Sequence, residues 1–220
     1  MEILDWLSNT IFAAPSQTAF GAYLIYYAYI CIASLVLPSI TVKGHPQPKR
    51  GPQLTYSICG FRMTLLTIFI VLAFGGVFPQ LHPIKLFSVS ILAKEFWPLW
   101  SAVNIFAFIV SVLLYLKGRI GKSFMGEAVD THSHGSFGLD FWVGRELNPR
   151  LGSFDIKFIA YRVAMIFWLV LNFAFLALQY EKHGFITSRM WAYQLCTGIY
   201  ILDYFWNEPK MLTTWDIISE

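Results

Sequence analysis

The sequence predicts an all-α fold, a polytopic bundle of transmembrane helices with about five spans, and residues 1–220 are interpreted as a single membrane domain. Hydrophobic residues make up 56% of the 220 residues, and charged residues make up only 13%. The mean hydropathy of +0.55 lies outside the range of ordinary soluble domains. The net charge of +3 is small and the basic residues are scattered between apolar runs, which argues against nucleic acid as a partner.

Five apolar segments approach the length of about 20 residues that a helix needs to cross a bilayer. They are residues 18–37, 63–78, 98–116, 163–178 and 191–205. The second and the fifth are short for a crossing. Residues 86–92 form a weaker apolar stretch, which predicts an interfacial helix rather than a sixth span.

The distribution of basic residues predicts the orientation. Most of the Lys and Arg residues lie in residues 38–62, in residues 117–162 and after residue 205. The positive-inside rule therefore places these parts in the cytosol and the N-terminus outside or in a lumen.

The first polar stretch, residues 144–150, reads Gly-Arg-Glu-Leu-Asn-Pro-Arg. Asn148 precedes a proline, which disfavours helical geometry and favours an Asx-type turn. Turn-forming residues beside opposite charges predict a rigid structural loop that contains Arg145, Glu146, Asn148 and Arg150. The alternative is a solvated loop in which the two arginines extend towards lipid phosphates.

The second polar stretch, residues 203–209, follows an apolar run that predicts a helix ending at Pro209. On such a helix Asp203, Trp206 and Asn207 share one face, and Tyr204 and Glu208 share a neighbouring face. An ionisable side chain at membrane depth costs about 2.5 to 3.5 kcal/mol and usually marks function. A carboxylate or phenol here is therefore a candidate proton donor to a lipid-like ligand. The alternative is that these groups mark the water interface.

Downstream of this stretch, the sequence predicts the start of another helix. Thr213 or Thr214 is a candidate N-cap, and Asp216 follows close to the first turn, where a carboxylate is favoured.

No metal site is predicted. His132 and His134 lack a third ligand at metal-binding spacing. The three cysteines are far apart in the sequence and are interpreted as small apolar residues.

At the two polar stretches the sequence resembles the membrane sterol reductases, the family of delta-14 sterol reductase, delta-7 sterol reductase and the sterol reductase domain of the lamin B receptor. Residues 144–150, with Phe-Asp-Ile-Lys at 154–157, are similar to a signature region of that family. Residues 200–205, 207–209 and 212–217 are similar to the block that follows it. The delta-14 branch is the closest match.

The resemblance implies a fold of about ten spans, of which this chain corresponds to the front half. It also implies reduction of a sterol C14=C15 double bond by a proton from a side chain and a hydride from NADPH. Asp203, Tyr204 or Glu208 is then the acid or the acid-orienting group. The implied substrate contacts are Trp206, Asn207 and Asp216, and the implied scaffold of the cytosolic mouth is Arg145, Glu146, Asn148 and Arg150.

The family resemblance also implies a multi-pass protein of the endoplasmic reticulum membrane. The partners that the resemblance implies are a sterol substrate, membrane lipid and other membrane enzymes of sterol biosynthesis. In the family the C-terminal half binds NADPH, and no Arg or Lys follows Lys210 here to bind its phosphates. We therefore expect a delta-14 sterol reductase-like protein that is a shortened form or a partial gene product and is inactive alone. The alternatives are a non-catalytic sterol-binding or partner-binding module, a delta-7 sterol reductase and a membrane scaffold without a ligand.

Overall fold

The computed structural model describes residues 13–44, 55–78, 86–120, 133, 135–145, 149–151 and 154–214. The helices in these ranges are α1 (Gln17–Val36), α2 (Gly60–Phe74), α3 (Ser90–Lys94), α4 (Phe96–Ile120), α5 (Phe137–Val143), α6 (Ile156–His183), α7 (Ser188–Trp206) and α8 (Glu208–Thr214). The strands are β1 (Ile40–Lys43), β2 (Thr55–Ile58), β3 (Arg150–Leu151) and β4 (Phe154–Asp155). They form two separate antiparallel pairs, β1–β2 and β3–β4.

The prediction of an all-α membrane protein is confirmed, because helices dominate the described residues and three of these helices can span a bilayer. Helices α1, α4 and α6 are both long and apolar enough to cross. Helix α2 has 15 residues and is shorter than a span, as predicted. Helix α7 has 19 residues but is less apolar than the three candidate spans. All five predicted segments are helical over most of their length, and five-residue α3 is too short to be a sixth span.

The chain groups into two compact units. The first comprises residues 1–24 and 97–161, and the second comprises residues 25–96 and 162–220. In the first unit, an aromatic cluster joins α4 to α5, where Tyr115 meets the rings of Phe137 and Phe141 at centroid distances of 5.3 and 5.9 Å.

In the second unit, hydrogen bonds and apolar side chains join α1, α2, α6 and α7. The Tyr26 hydroxyl donates to the Val163 carbonyl at 2.8 Å, and the hydroxyls of Tyr29 and Thr67 are 2.9 Å apart. The buried apolar residues of this unit include Ile30, Met63, Ile166, Leu176, Ile201 and Phe205. Such burial removes apolar surface from contact with the surroundings and fixes the helices against one another.

Residue types that commonly cap helices lie at the start of α5, at the start of α7 and after the end of α6. The Ser136 hydroxyl accepts from the Leu139 N–H at the start of α5, and the Thr187 hydroxyl accepts from the Met190 N–H at the start of α7. Between α6 and α7, Gly184 has a φ of 73°, a conformation that glycine adopts without the strain of a side chain.

The structure corrects the predicted role of Pro209. Helix α7 ends at Trp206, and Pro209 lies in the first turn of α8 instead of ending a helix. Proline is well tolerated there because N–H groups of the first turn have no partner within the helix. The Asn207 carbonyl accepts from the N–H groups of Lys210 and Met211 at 2.9 and 3.1 Å, so the chain re-enters a helix at once.

The predicted helix start at Thr213 or Thr214 is also wrong in position. Thr213 and Thr214 are the last two residues of α8. This helix begins at Glu208, six residues before Thr214. Asp216, which was predicted to follow the cap, lies outside the described residues.

Candidate functional site

A buried ion pair, formed by Arg162 and Glu208, lies at the break between α7 and α8. Glu208 is the first residue of α8, and Arg162 lies in the second turn of α6. Both side chains are about 2% exposed. The Nε–H of Arg162 donates to Oε1 of Glu208 at 3.0 Å. The two chain segments are thus joined by a charge-assisted hydrogen bond away from solvent.

The remaining nitrogens of the guanidinium group bind β2 and the residue that follows it. Nη2 of Arg162 donates to the Ser57 carbonyl at 2.7 Å, and Nη1 lies 3.5 Å from Sγ of Cys59. Burial raises the pKa of the Cys59 thiol, an effect that the nearby Arg162 charge opposes. Cys59 therefore remains a thiol at neutral pH and acts as a weak acceptor.

The second carboxylate oxygen of Glu208 binds the start of α2. The Gly60 N–H donates to Oε2 of Glu208 at 3.1 Å. A carboxylate at a helix N-terminus is favourable because the first N–H groups of a helix carry partial positive charge. We call Arg162, Glu208, Gly60, Ser57 and Cys59 the Arg162–Glu208 junction.

Only glycine fits at position 60 of this junction. A Cβ atom there would lie 2.4 Å from the ring of Phe205 and 2.7 Å from Oε2 of Glu208. Phe205 is itself about 1% exposed, so the ring has no open space into which it can move. The close approach of α2 to the end of α7 therefore depends on the absence of a side chain at Gly60.

The other predicted site residues at the end of α7 are in a different environment. Asp203 is exposed, and its Oδ1 accepts from the Asn207 side chain at 3.1 Å. Trp206 is 68% exposed, and its ring packs edge-on against Phe61 at a centroid distance of 5.2 Å. Tyr204 is half-buried. The structure thus brings Asp203 and Asn207 into contact. Glu208, in contrast, is buried against Arg162 and Gly60.

Two further pairs of opposite charge are found among the described residues of the polar loop before α6 and of α5, which precedes it. Nε of Arg145 lies 3.8 Å from Oδ2 of Asp140, and Nε of Arg150 lies 3.8 Å from Oδ2 of Asp155. Both arginine side chains are about a quarter exposed. Glu146 and Asn148, which were predicted to belong to the same loop, lie outside the described residues.

Asp155 has a structural task at the start of α6. Its Oδ1 accepts from the Phe158 N–H at 2.9 Å, the geometry of an N-cap. Burial raises the pKa of the Asp155 carboxyl, although the Phe158 N–H and the charge of Arg150 act against this shift. Asp155 and Arg150 are also partners in the β3–β4 register.

Four functional candidates of the junction were not predicted from the sequence. They are Arg162, Gly60, Ser57 and Cys59. Arg162 carried a usable signal, because it immediately precedes the apolar run 163–178, and a charge at the edge of a span requires a partner. The requirement for glycine at position 60 arises from a contact with distant Phe205, and such a contact leaves no local pattern in the sequence.

The described residues show no candidate metal site, and the Arg162 guanidinium is bound within the chain. Among them there is no group of three or more His, Cys, Asp or Glu residues placed to bind a metal. Binding of a phosphorylated cofactor needs Arg or Lys donors directed at its phosphates. The guanidinium of Arg162 instead donates within the buried junction. We assign no described residue to NADPH.

Comparisons with known proteins agree with the predicted resemblance. The model of the "Ergosterol biosynthesis ERG4/ERG24 family" matches residues 1–220. The chain is 34% identical over 206 residues to a Delta(14)-sterol reductase of Arabidopsis thaliana. The aligned region covers 94% of this chain and 53% of the relative. The chain is also 34% identical over 212 residues to a Delta(14)-sterol reductase of Methylotuvimicrobium alcaliphilum, covering 94% of this chain and 46% of the relative.

A third relative carries a different name. The chain is 31% identical over 214 residues to a 7-dehydrocholesterol reductase of Arabidopsis thaliana, covering 96% of this chain and 46% of the relative. The chain therefore spans about half the length of the curated relatives it matches.

Proposed function

Because the chain belongs to the ergosterol biosynthesis ERG4/ERG24 family, we propose that it serves the reduction of a sterol C14=C15 double bond as a delta-14 sterol reductase-like protein. The alignment of nearly the whole chain with proteins named Delta(14)-sterol reductase is the observation that carries this proposal. The chain is a membrane protein with three candidate spans among its described helices, which suits a substrate that resides in lipid. We further propose that the membrane is that of the endoplasmic reticulum and that other sterol-biosynthesis enzymes are its neighbours.

The proposed chemistry needs an acid at the alkene. A side-chain proton is delivered to one carbon of the double bond, and positive charge develops on the other carbon. Asp203, Tyr204 or Glu208 is the proposed acid or acid-orienting group. The proposed sterol contacts are Trp206, Asn207 and Asp216, and an aromatic ring such as that of Trp206 stabilises a developing cation in a dry site.

The reductant proposed for the family activity is NADPH, which supplies a hydride. We propose that it is bound by parts of the protein other than the described residues. The proposed scaffold of the cytosolic mouth is the loop that contains Arg145, Glu146, Asn148 and Arg150. Its support is the proximity of Arg145 to Asp140 and of Arg150 to Asp155.

A second candidate function is a membrane module that binds sterol without reducing it. The observation that favours it is the commitment of the buried Arg162 guanidinium to groups of the chain itself, which leaves it unable to bind a cofactor phosphate. The similarity to a relative named 7-dehydrocholesterol reductase supports delta-7 reduction as an alternative to delta-14 reduction.

One experiment separates these functions. The purified chain is supplied with NADPH and a delta-8,14 sterol or a delta-7 sterol, and product formation is measured beside binding of labelled sterol. Reduction of the delta-8,14 sterol supports the proposal, and reduction of the delta-7 sterol alone supports the delta-7 alternative. Saturable binding without reduction is the result expected both of the sterol-binding module and of a reductase-like chain that is inactive alone. Absence of both binding and reduction by a folded chain would refute all three.

A further inference from the structure

The three candidate acids at the end of α7 differ in their surroundings. Asp203 is exposed and Tyr204 is half-buried. Glu208 is buried, and each of its carboxylate oxygens accepts a hydrogen bond. Oε1 accepts from Arg162 at 3.0 Å, and Oε2 accepts from the Gly60 N–H at 3.1 Å. A proton on either oxygen would oppose one of these donors, so this geometry suits a carboxylate that accepts and does not donate.

We propose that Arg162 is a positioning residue that holds Glu208 at the break between α7 and α8, and that Glu208 orients the end of α7 instead of donating the proton. This inference rests on the proposed function and narrows its candidate acids to Asp203 and Tyr204. Arg162 acts through Glu208 and does not itself contact the reacting atoms.

The contacts near the break explain how the position of Glu208 affects the positions of Asp203 and Tyr204. Phe205 fills the space over Gly60, and Glu208 lies three residues later against the same glycine. The junction therefore fixes both ends of the segment 205–208. The side chain of Asn207, within that segment, donates to the carbonyl and to Oδ1 of Asp203 at 3.0 and 3.1 Å. The last turn of α7, which carries Asp203 and Tyr204, is thereby held to the buried pair.

The guanidinium group is suited to this task because it binds three elements at once. Its nitrogens contact Glu208 of α8, the Ser57 carbonyl of β2 and the Cys59 sulfur before α2. A planar fork of donors holds several acceptors in fixed directions, which the point charge of a lysine does not do. Loss of the fork would leave the carboxylate buried beside the Phe205 ring, and the last turn of α7 would have to move.

The test uses the neutral pair R162M/E208Q with the singles R162M and E208Q, and R189M at an exposed position as the control. The side-chain amide introduced by E208Q still accepts from the Gly60 N–H, and the pair leaves no unpaired buried charge. The substitutions are made at the aligned positions of a full-length relative that carries Arg and Glu there. Its kcat and KM for reduction of a delta-8,14 sterol are measured well below the melting temperature of each variant. The same variants of the 220-residue chain are melted in detergent.

We expect R162M to lower kcat with little change in KM, because the proton-donating turn is displaced while the sterol still binds. We expect the neutral pair to recover kcat to within about tenfold of the parent protein, whereas loss of a general acid costs about 100-fold or more. In the 220-residue chain, each single substitution should lower the melting temperature and the pair should recover part of the loss. R189M should change neither quantity.

A neutral pair that melts like the parent protein but loses kcat by 100-fold or more would overturn the proposal, because Glu208 would then be the acid. A loss of melting temperature by R162M without any change in kcat would reduce Arg162 to a structural residue and also overturn it. The melting of the 220-residue chain does not depend on catalysis. A recovered melting temperature in a chain that neither reduces nor binds sterol would therefore refute the proposed function and leave the contact between Arg162 and Glu208 intact.

Discussion

The Arg162–Glu208 junction and the polar loop before α6 use the same residue types, but they differ in distance and burial. At the junction, Arg162 and Glu208 are both about 2% exposed and are joined at 3.0 Å. In the loop, Arg145 and Arg150 are about a quarter exposed and lie 3.8 Å from carboxylates that are 8% and 7% exposed, so only the arginine of each pair is part-solvated. Desolvated charges depend on each other far more than part-solvated ones. Charge content alone therefore does not identify the side chains that hold the fold.

Replacement of Arg162 by methionine should have the largest effect. It leaves the Glu208 carboxylate buried without the charge that balances it, and breaking a buried pair costs about 3 to 5 kcal/mol. Thermal unfolding of the 220-residue chain in detergent measures the loss. The exposed Arg189→Met is the control and should change stability by less than about 0.5 kcal/mol. Equal effects of the two substitutions would remove the distinction between the junction and the surface.

Gly60→Ala should have the next largest effect. The new Cβ would lie 2.4 Å from the Phe205 ring and 2.7 Å from Glu208, and overpacking of this kind costs about 1 to 3 kcal/mol. Gly198→Ala in α7 is the matched control, because a Cβ there has no neighbour within 4 Å. The control should be neutral or stabilising by up to about 1 kcal/mol, since alanine favours helix. Similar melting temperatures for the two variants would contradict the packing described at Gly60.

Arg145→Gln should have a smaller effect than either junction substitution. Arg145 is about a quarter exposed and its Nε lies 3.8 Å from the buried Asp140 carboxylate, so we expect a loss of about 1 kcal/mol, between that of an exposed pair and that of a fully buried one. The difference from the parent chain should also shrink at high salt, because ions screen exposed charges. The same melting assay at low and high salt checks this expectation. A loss comparable to that of Arg162→Met would show that the loop is held as tightly as the junction.

Asp155→Asn tests the pH dependence and should have the smallest effect. Burial raises the pKa of Asp155 in the folded chain. The folded state therefore binds a proton before the unfolded state does as pH falls, and this carboxyl makes folding more favourable at lower pH. The gain develops from the raised folded pKa down to the ordinary Asp value of about 3.9. Above the folded pKa the carboxylate carries its full burial penalty.

The asparagine variant lacks this titration but still accepts from the Phe158 N–H. Its stability relative to the parent chain should therefore be highest near neutral pH and should decline as pH falls through that window. Melting temperatures of both chains across this range give the difference. Asp155→Ala, which also removes the N-cap, should be less stable than the asparagine variant at every pH. A constant difference between the parent and asparagine chains would contradict the raised pKa.

Much of the fold could be predicted because it depends on local patterns. Long apolar runs predicted α1, α4 and α6, and the runs 63–78 and 191–205 were recognised as short. The strands β1 and β2 were not predicted, since each has only four residues and its partner lies more than ten residues away. The position of Pro209 was misread because proline is compatible with both the end and the first turn of a helix.

The candidate site was predictable only in part. The pattern of residues 203–209 located the relevant helix end, and helical spacing placed Asp203 and Asn207 together, as the structure confirms. The pattern could not show that Glu208 faces Arg162, because those two residues lie 46 positions apart in the sequence. The roles of Asp203, Tyr204 and Glu208 in proton transfer stay predictions.

Sterol protection of position 203 tests the central claim, that the end of α7 contacts a sterol. A cysteine is introduced by Asp203→Cys in a chain in which Cys31 and Cys196 are replaced by serine, and a water-soluble thiol reagent is applied with and without a delta-8,14 sterol. Arg189→Cys, at the opposite end of α7, is the control. We expect sterol to slow labelling at position 203 and to leave labelling at position 189 unchanged. Equally fast labelling at position 203 with and without sterol would contradict it.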